Sequence, residues 1–425
     1  MSVKMASEPS MRRKPAEEQN ITKPETPAVI KSLRKSRGVR VDHPGGEIKH
    51  GLGMQILRII LATIYTIATC ISIVTTQLVG LPLYWYNKDL YYAYMALTKQ
   101  SFGIYVTSFT QWWSPTVVRI SGDASVAGEL VKTENGGVQL QFPDRLVLIA
   151  NHQLYSDWLY LWWAAYTNKR KMHGHIYIIL KESLKHIPIV GWGMMFYGFI
   201  FMSRKMATDQ PRIAHRLNKL KERHSGPLSG EKGLDPMWLL LFPEGTNASP
   251  NMRIKSAEWA EKTGVADVKH TLLPRSTGSL FCLNELENTV DYVYDCTLAY
   301  EGIECGEYGQ DLYTLRSMYF AGQPPPSVNM YWRKFAIKDI PLQDGEKFDL
   351  WLRERWYEKD AIMEEYASTG RFPVSPSESE EDFIETEVKL SHRWEVGNIF
   401  VVLAALGLIF NLLGRAWSVV GFGKR

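Results

Sequence analysis

The chain has 425 residues, a formal net charge of +4, and 22% charged against 45% hydrophobic residues. Its length exceeds one small domain and leaves room for a large catalytic body with membrane segments and tails. A mildly negative mean hydropathy of -0.19 excludes a polytopic transporter, and the sequence shows neither a dominant basic patch nor a nucleic-acid motif, so no nucleic-acid partner is expected. The 14 Trp and 21 Tyr suit a protein working at a bilayer surface, where amphipathic rings gather.

Residues 1–53 are polar and aperiodic, which predicts a disordered tail. The first apolar run begins too late for a secretory signal. The tail's basic cluster, Lys31, Arg34, Lys35, Arg37 and Arg40, reads either as a solvated charge run or as a positive flank held on the cytosolic side of the next segment, the second being favoured. Residues 54–115 form an expected membrane helix or hairpin. Met54 to Leu83 carries Arg58 as its sole charge and exceeds the roughly 20 residues that cross a bilayer. Gly80 and Pro82 break it, Tyr84-Trp85-Tyr86 follow, and Leu90 to Trp113 reads as a helix that re-enters or lies in the interface. A soluble core hairpin is the alternative.

From 116 to 318 the texture is that of an α/β domain on a mainly parallel sheet. Strands are expected at Val117–Ile120, Val138–Phe142, Leu146–Ala150, His175–Leu180, Gly198–Met202, Met237–Phe242 and Tyr292–Ala299. Helices are expected at 158–166, 191–197 and, strongly basic, 212–224, with 225–235 a surface loop. Residues 319–374 extend this domain and include a charged helix over 348–366. Residues 375–392 form an acidic linker, with 375–387 expected to be disordered. Residues 393–425 hold a second anchor, built on the uncharged run 396–413, for which a buried soluble helix is the alternative. Cys70, Cys282, Cys296 and Cys305 show no metal-ligand spacing. They read as reduced thiols, a Cys296–Cys305 disulfide being the minor alternative.

Four groups of residues follow apolar strands, where sites form in open α/β sheets. Asn151-His152 with Asp157 pairs a potential base with a carboxylate. Five residues apart on one helix they would point about 140° away from each other. They meet only if His152 sits in the turn and Asp157 opens the next helix, so that the carboxylate holds one imidazole nitrogen and the other is left to take a proton. No nucleophilic serine elbow accompanies them. Phe242-Pro243-Glu244-Gly245-Thr246 reads as an ordinary tight turn or as a phosphate-binding one. Arg204 ends another strand and suits a phosphate. Pro274 makes a turn beside Arg275.

In order and context these blocks resemble the glycerolipid acyltransferase family. Asn151-His152…Asp157 matches its first block, Gly198 to Arg204 its second, Phe242 to Thr246 its third and Leu273-Pro274 its fourth. Leu180 to Pro188 with Gly191-Trp192-Gly193 is similar to its linker. Tyr319 to Pro326 and Trp356 to Pro373 resemble the extension of the branch holding lysocardiolipin acyltransferases and their 1-acylglycerol-3-phosphate acyltransferase relatives. The resemblance implies the family's sheet with flanking helices, and acyl transfer from acyl-CoA, a co-substrate and not a bound cofactor, onto a lysophospholipid hydroxyl. It implies His152 as base, Asp157 as its orienter, and no metal or covalent enzyme intermediate. Substrate contacts are implied at Asn151, Arg204, Glu244, Gly245, Thr246, Pro274 and, more loosely, Lys181. Asn247 stands where many members carry Arg. The expected reading is remodelling of acceptors such as lysophosphatidylinositol or lysocardiolipin. Lysophosphatidic acid acylation is the alternative, and a catalytically silent lipid-binding scaffold is the remote one. The endoplasmic reticulum membrane with a cytosol-facing site is the compartment the resemblance implies.

Overall fold

The computed structural model describes residues 42–203, 206–226, 230–373 and 383–422. Its centre is an eight-stranded sheet in the order β12-β1-β11-β10-β4-β9-β5-β6. The strands are β1 (Val117–Gly122), β4 (Arg145–Ala150), β5 (Ile176–Lys181), β6 (Ile200–Met202), β9 (Met237–Leu241), β10 (Tyr292–Tyr300), β11 (Ser327–Ala336) and β12 (Ile384–Glu387). The pairs β10–β4, β4–β9, β9–β5 and β5–β6 are parallel, and only β10–β11 and β1–β12 run antiparallel. Two small hairpins, β2 (Leu130–Lys132) with β3 (Val138–Leu140) and β7 (Arg223–Ser225) with β8 (Lys232–Leu234), stand outside it. The uninterrupted apolar runs of β4 and β9 have the expected consequence. These strands sit at the middle of the sheet and are buried on both faces, Leu146 and Leu148 packing into one core, Val147 and Ile149 into the other.

One face carries α1 (Leu52–Gly80), α2 (Lys88–Trp113) and α3 (Asp157–Thr167); the other carries α5 (Met206–Lys219), α7 (Ser276–Leu286) and α8 (Gly345–Thr369). The short α4 (Val190–Phe196) and α6 (Pro250–Thr263) lie between strands, and α9 (Val401–Phe422) follows β12. The helix α3 is apolar on every side because it is enclosed, with Tyr160, Trp162, Trp163 and Tyr166 almost wholly buried.

The helices α1 and α2 form an antiparallel hairpin. Tyr65 Oη lies 2.7 Å from Ser108 Oγ, and Tyr94 Oη donates to the Thr76 carbonyl at 2.9 Å. Gly80 is required here, since a Cβ would fall 2.3 Å from the Tyr94 ring. Thus α2 is a return helix wedged between α1 and the domain, with Phe102 against Trp158 and Trp162. Arg58, the charge in the first apolar run, is turned inward and donates to the carbonyls of Trp113 at 2.7 Å and Tyr319 at 3.0 Å. The outer side of α1 exposes Ile56, Ile60, Ile64 and Ile67, followed by Trp85 and Tyr86. Among the described residues, two helical stretches, Leu52–Tyr86 and Val401–Ser418, are long and apolar enough to cross a membrane.

Several sequence expectations need correction. Of the stretch read as a tail, residues 1–41 lie outside the described residues, but 42–51 lie against the body: His43 Nε2 is 2.8 Å from the Leu312 carbonyl, and Lys49 N–H donates to Ala321. The basic helix starts at Met206 and ends at Lys219, carrying Pro211 within it, and His224 belongs to a strand. The loop 225–235 holds the β7–β8 hairpin. In the acidic linker, Ile384–Glu387 is an edge strand with Ile384 and Thr386 inward, while 374–382 lie outside the described residues. The extension from 319 onward contributes β11 to the sheet between β1 and β10. A buried ionic cluster ties α8 to it: Asp295 accepts from Lys359 Nζ and Arg333 Nη2, both at 2.6 Å. All four cysteines are free.

Candidate active site

The parallel strands β4 and β9 end side by side, and the first and third sequence blocks follow them. His152 leaves β4 in a turn and Asp157 opens α3, so the two side chains meet as a continuous helix would forbid. His152 Nδ1 lies 2.8 Å from Asp157 Oδ2. The carboxylate is fully buried and saturated: Oδ2 also accepts from Leu154 N–H at 3.0 Å, and Oδ1 accepts from the Tyr300 hydroxyl. Burial and the neighbouring Asp157 carboxylate push the Tyr300 phenol well above its ordinary value, so it remains a donor. The imidazole stacks on Phe242, with centroids 4.3 Å apart. Its side chain is 18% exposed, and Nε2 makes no hydrogen bond to a described residue. The imidazole is thereby held in one orientation with one nitrogen presented.

The third block supports this turn. Glu244 is buried; its Oε2 accepts from the His152 backbone N–H at 3.3 Å and its Oε1 from Trp356 Nε1 at 3.2 Å. Both oxygens accept from protein donors, and through them Glu244 braces the His152 turn. The Ala248 N–H completes the link by donating to the His152 carbonyl at 2.7 Å. Gly245, by contrast, is exposed with φ +72°, a conformation glycine adopts without strain, and its N–H closes the turn onto the Phe242 carbonyl. Thr246 is half-buried beside it.

Burial pushes the Glu244 carboxyl up to about 7, against the His152 charge and the Trp356 N–H, which lower it. A carboxyl raised on folding binds its proton more tightly in the folded state. Its contribution to stability is full below the ordinary value of 4.5 and is lost as pH rises through about 7. Thermal unfolding followed against pH should show this decline in the parent protein and a flatter profile in Glu244→Gln; identical profiles would deny Glu244 that burden.

Other expected contacts fall differently. Asn151 is 1% exposed. Its Nδ2 donates to the Leu298 carbonyl at 2.9 Å and its Oδ1 accepts from Leu298 N–H at 2.7 Å. Both ends of its side chain are thereby committed to clamping β4 to β10. Asn151→Ala should lower stability by about 1–3 kcal/mol by orphaning those buried groups. The acceptor KM of the folded enzyme should stay unchanged; a raised KM with unchanged Tm would return it to the substrate site. Pro274 is buried and also acts indirectly: the next residue, Arg275, donates its N–H to the Pro243 carbonyl at 2.8 Å, joining the fourth block to the third. Lys181 is exposed at the end of β5, and no described contact joins it to His152. Arg204 lies outside the described residues; its neighbour Ser203 is fixed by Asp209, which accepts from its N–H at 3.0 Å and its Oγ at 2.9 Å.

The family model described as acyltransferase matches residues 134–301, and the one described as acyltransferase C-terminus matches 318–394. An uncharacterized acyltransferase of Schizosaccharomyces pombe is 37% identical over 78% of this chain and 90% of its own. The 2-acyl-1-lysophosphatidylinositol acyltransferase of Saccharomyces cerevisiae is 36% identical over 81% and 92% respectively. This chain belongs to the acyltransferase family. Lysocardiolipin acyltransferase 1 of Gallus gallus is 30% identical over 60% of this chain and 58% of its own.

Within this acyltransferase, sequence reasoning gave no individual role to Tyr300, Trp356, Phe242 or Arg275. Phe242 stood in a quoted block, but nothing local marks it as the platform under the imidazole. Tyr300 and Trp356 are separated from their partners by 143 and 112 residues, so only the sheet order brings them in. Arg275 was noted beside its turn; a Cβ on Gly245 would lie 3.8 Å from its Cδ, which places an exposed cation against the open turn.

Proposed function

We propose that this protein is a membrane-bound acyl-CoA:lysophospholipid O-acyltransferase of phospholipid remodelling, with His152 as general base. The observation that carries the reading is the His152 Nδ1–Asp157 contact of 2.8 Å with Nε2 left uncommitted. Nε2 takes the proton of the acceptor hydroxyl as that oxygen attacks the thioester carbonyl of acyl-CoA. The tetrahedral intermediate collapses with cleavage of the C–S bond, and the imidazolium returns its proton to the departing thiolate. Asp157 orients the ring and stabilises its charged form. Gly245 and Thr246 receive the acceptor's glycerol phosphate, joined by Arg275 and Arg204, while Lys181 contacts it from the end of β5. No protein nucleophile enters the reaction, which distinguishes it from a hydrolase of the serine type.

The acceptor we assign is one bearing a headgroup, lysophosphatidylinositol first, on the similarity to a yeast protein named for that activity over most of both chains. We place the enzyme in the endoplasmic reticulum membrane, anchored through α1 and α9, with the site facing the cytosol where acyl-CoA is available. The test is membranes containing the protein, labelled acyl-CoA and a panel of lysophospholipids. Transfer to lysophosphatidylinositol or lysocardiolipin supports the reading. Transfer to lysophosphatidic acid alone would make it an enzyme of phosphatidic acid synthesis, and transfer to none would leave a lipid-binding scaffold.

A further inference from the structure

His152 is tied to the protein through its ring, its carbonyl and its backbone N–H, which meet Asp157, the Ala248 N–H and Glu244 respectively. The tie through the N–H leads out of the segment 134–301 that matches the acyltransferase model. Glu244 Oε1 accepts from Trp356 Nε1 at 3.2 Å. Trp356 stands on α8, inside the segment 318–394 that matches the C-terminal model. A residue of the extension is therefore one hydrogen bond away from the group that holds the His152 backbone.

The chemistry of this link is selective. A backbone N–H and an indole N–H only donate, so residue 244 must accept on both sides. A glutamine would turn its amide N–H2 toward one of the two donors. A carboxylate satisfies both, and its negative charge favours the imidazolium that forms when His152 takes a proton. Trp356 is itself immobile. It is fully buried, as is Lys359 one turn further along α8. Lys359 Nζ donates to Asp295 Oδ1 at 2.6 Å, and to the Cys296 carbonyl and Thr297 Oγ1, both at 3.0 Å. The same Nζ lies 5.3 Å from the centroid of the Trp356 ring. These acceptors belong to β10, the strand whose Tyr300 donates to Asp157. One strand thus fixes the ring of His152 through Tyr300 and its backbone through α8.

We propose that Trp356 is a positioning residue for acyl transfer. Acting through Glu244, it fixes the backbone of His152, so that the C-terminal extension sets the placement of the base. The proposal rests on the acyltransferase reading above and adds to it a role for the extension in turnover.

Trp356→Phe keeps a buried ring and deletes the donor. In membranes holding the full chain, kcat should fall about tenfold while the KM values for lysophospholipid and acyl-CoA hold, as for a shift in the base that leaves binding alone. Glu244→Gln disturbs the link from its other end and should give the same split. The double variant should fall no further than the larger single loss, because the two residues act in series. Trp351→Phe is the control: it lies on the same helix, but packs against Phe335 and Phe348, and should keep kcat. Unchanged kcat in folded Trp356→Phe, losses that multiply in the double variant, or a loss carried by the acceptor KM would overturn the assignment. Should Trp356→Phe not accumulate, Glu244→Gln decides: a fall in kcat at constant acceptor KM supports the link, and any other result ends it. Failure of the parent enzyme to acylate any lysophospholipid would instead remove the acyltransferase reading beneath it.

Discussion

His152→Ala is expected to reduce acyl transfer by about 10²- to 10⁴-fold, the range typical for loss of a positioned general base. The ring makes one side-chain hydrogen bond, to Asp157, and is partly exposed, so its removal leaves the sheet and the helical hairpin intact. The His152 backbone contacts to Glu244 and Ala248 do not depend on the side chain. Membrane retention and Tm should therefore stay near those of the parent while kcat falls. The measurement is initial rate against acceptor concentration in membranes of matched protein content. An alanine variant that keeps its rate would end the mechanism, since nothing else described at the carboxyl ends of β4 and β9 presents a free basic nitrogen.

Asp157→Asn is expected to lower kcat by a similar factor with a smaller structural effect than Asp157→Ala. The alanine change would strand His152 Nδ1, Leu154 N–H and the Tyr300 hydroxyl around a buried void, at about 1–3 kcal/mol for each unsatisfied group. The asparagine keeps one oxygen for His152 and Leu154 and turns its amide toward Tyr300, whose hydroxyl can rotate to accept. Geometry is then largely retained while the negative charge that stabilises the imidazolium is gone. The discriminating result is a large loss of kcat with a nearly constant acceptor KM and a modest fall in Tm. A loss confined to Tm, with normal turnover by the folded fraction, would make Asp157 a structural carboxylate.

The boundary between what could be read early and what could not follows the range of the interaction. The buried strands β4 and β9 announced themselves because a strand covered on both faces must be apolar at every position, a property of five or six consecutive residues. The blocks that follow them were found for the same reason. The edge strand β12 was missed because it buries only Ile384 and Thr386 of IETE, too short an alternation to stand out in acidic surroundings. Glu244 was read as a substrate contact because a Pro-Glu-Gly-Thr turn does not reveal that its carboxylate will be covered. Its partner Trp356 arrives from a helix that the Asp295–Arg333–Lys359 cluster fastens to the sheet.

The sequence by itself determined which His and Asp would meet, the strands that deliver them, the apolar helical stretches and the family. These rest on local composition, periodicity and short ordered motifs. The tertiary structure alone decided which residues serve the pair indirectly. Asn151 became a clamp between β4 and β10, Glu244 a support for the His152 turn, and Tyr300 the second donor on Asp157. The first and third depend on β10 lying beside β4, the second on α8 packing against β10. Strand order is a global result of which apolar faces can be buried together, and no spacing within a single segment encodes it.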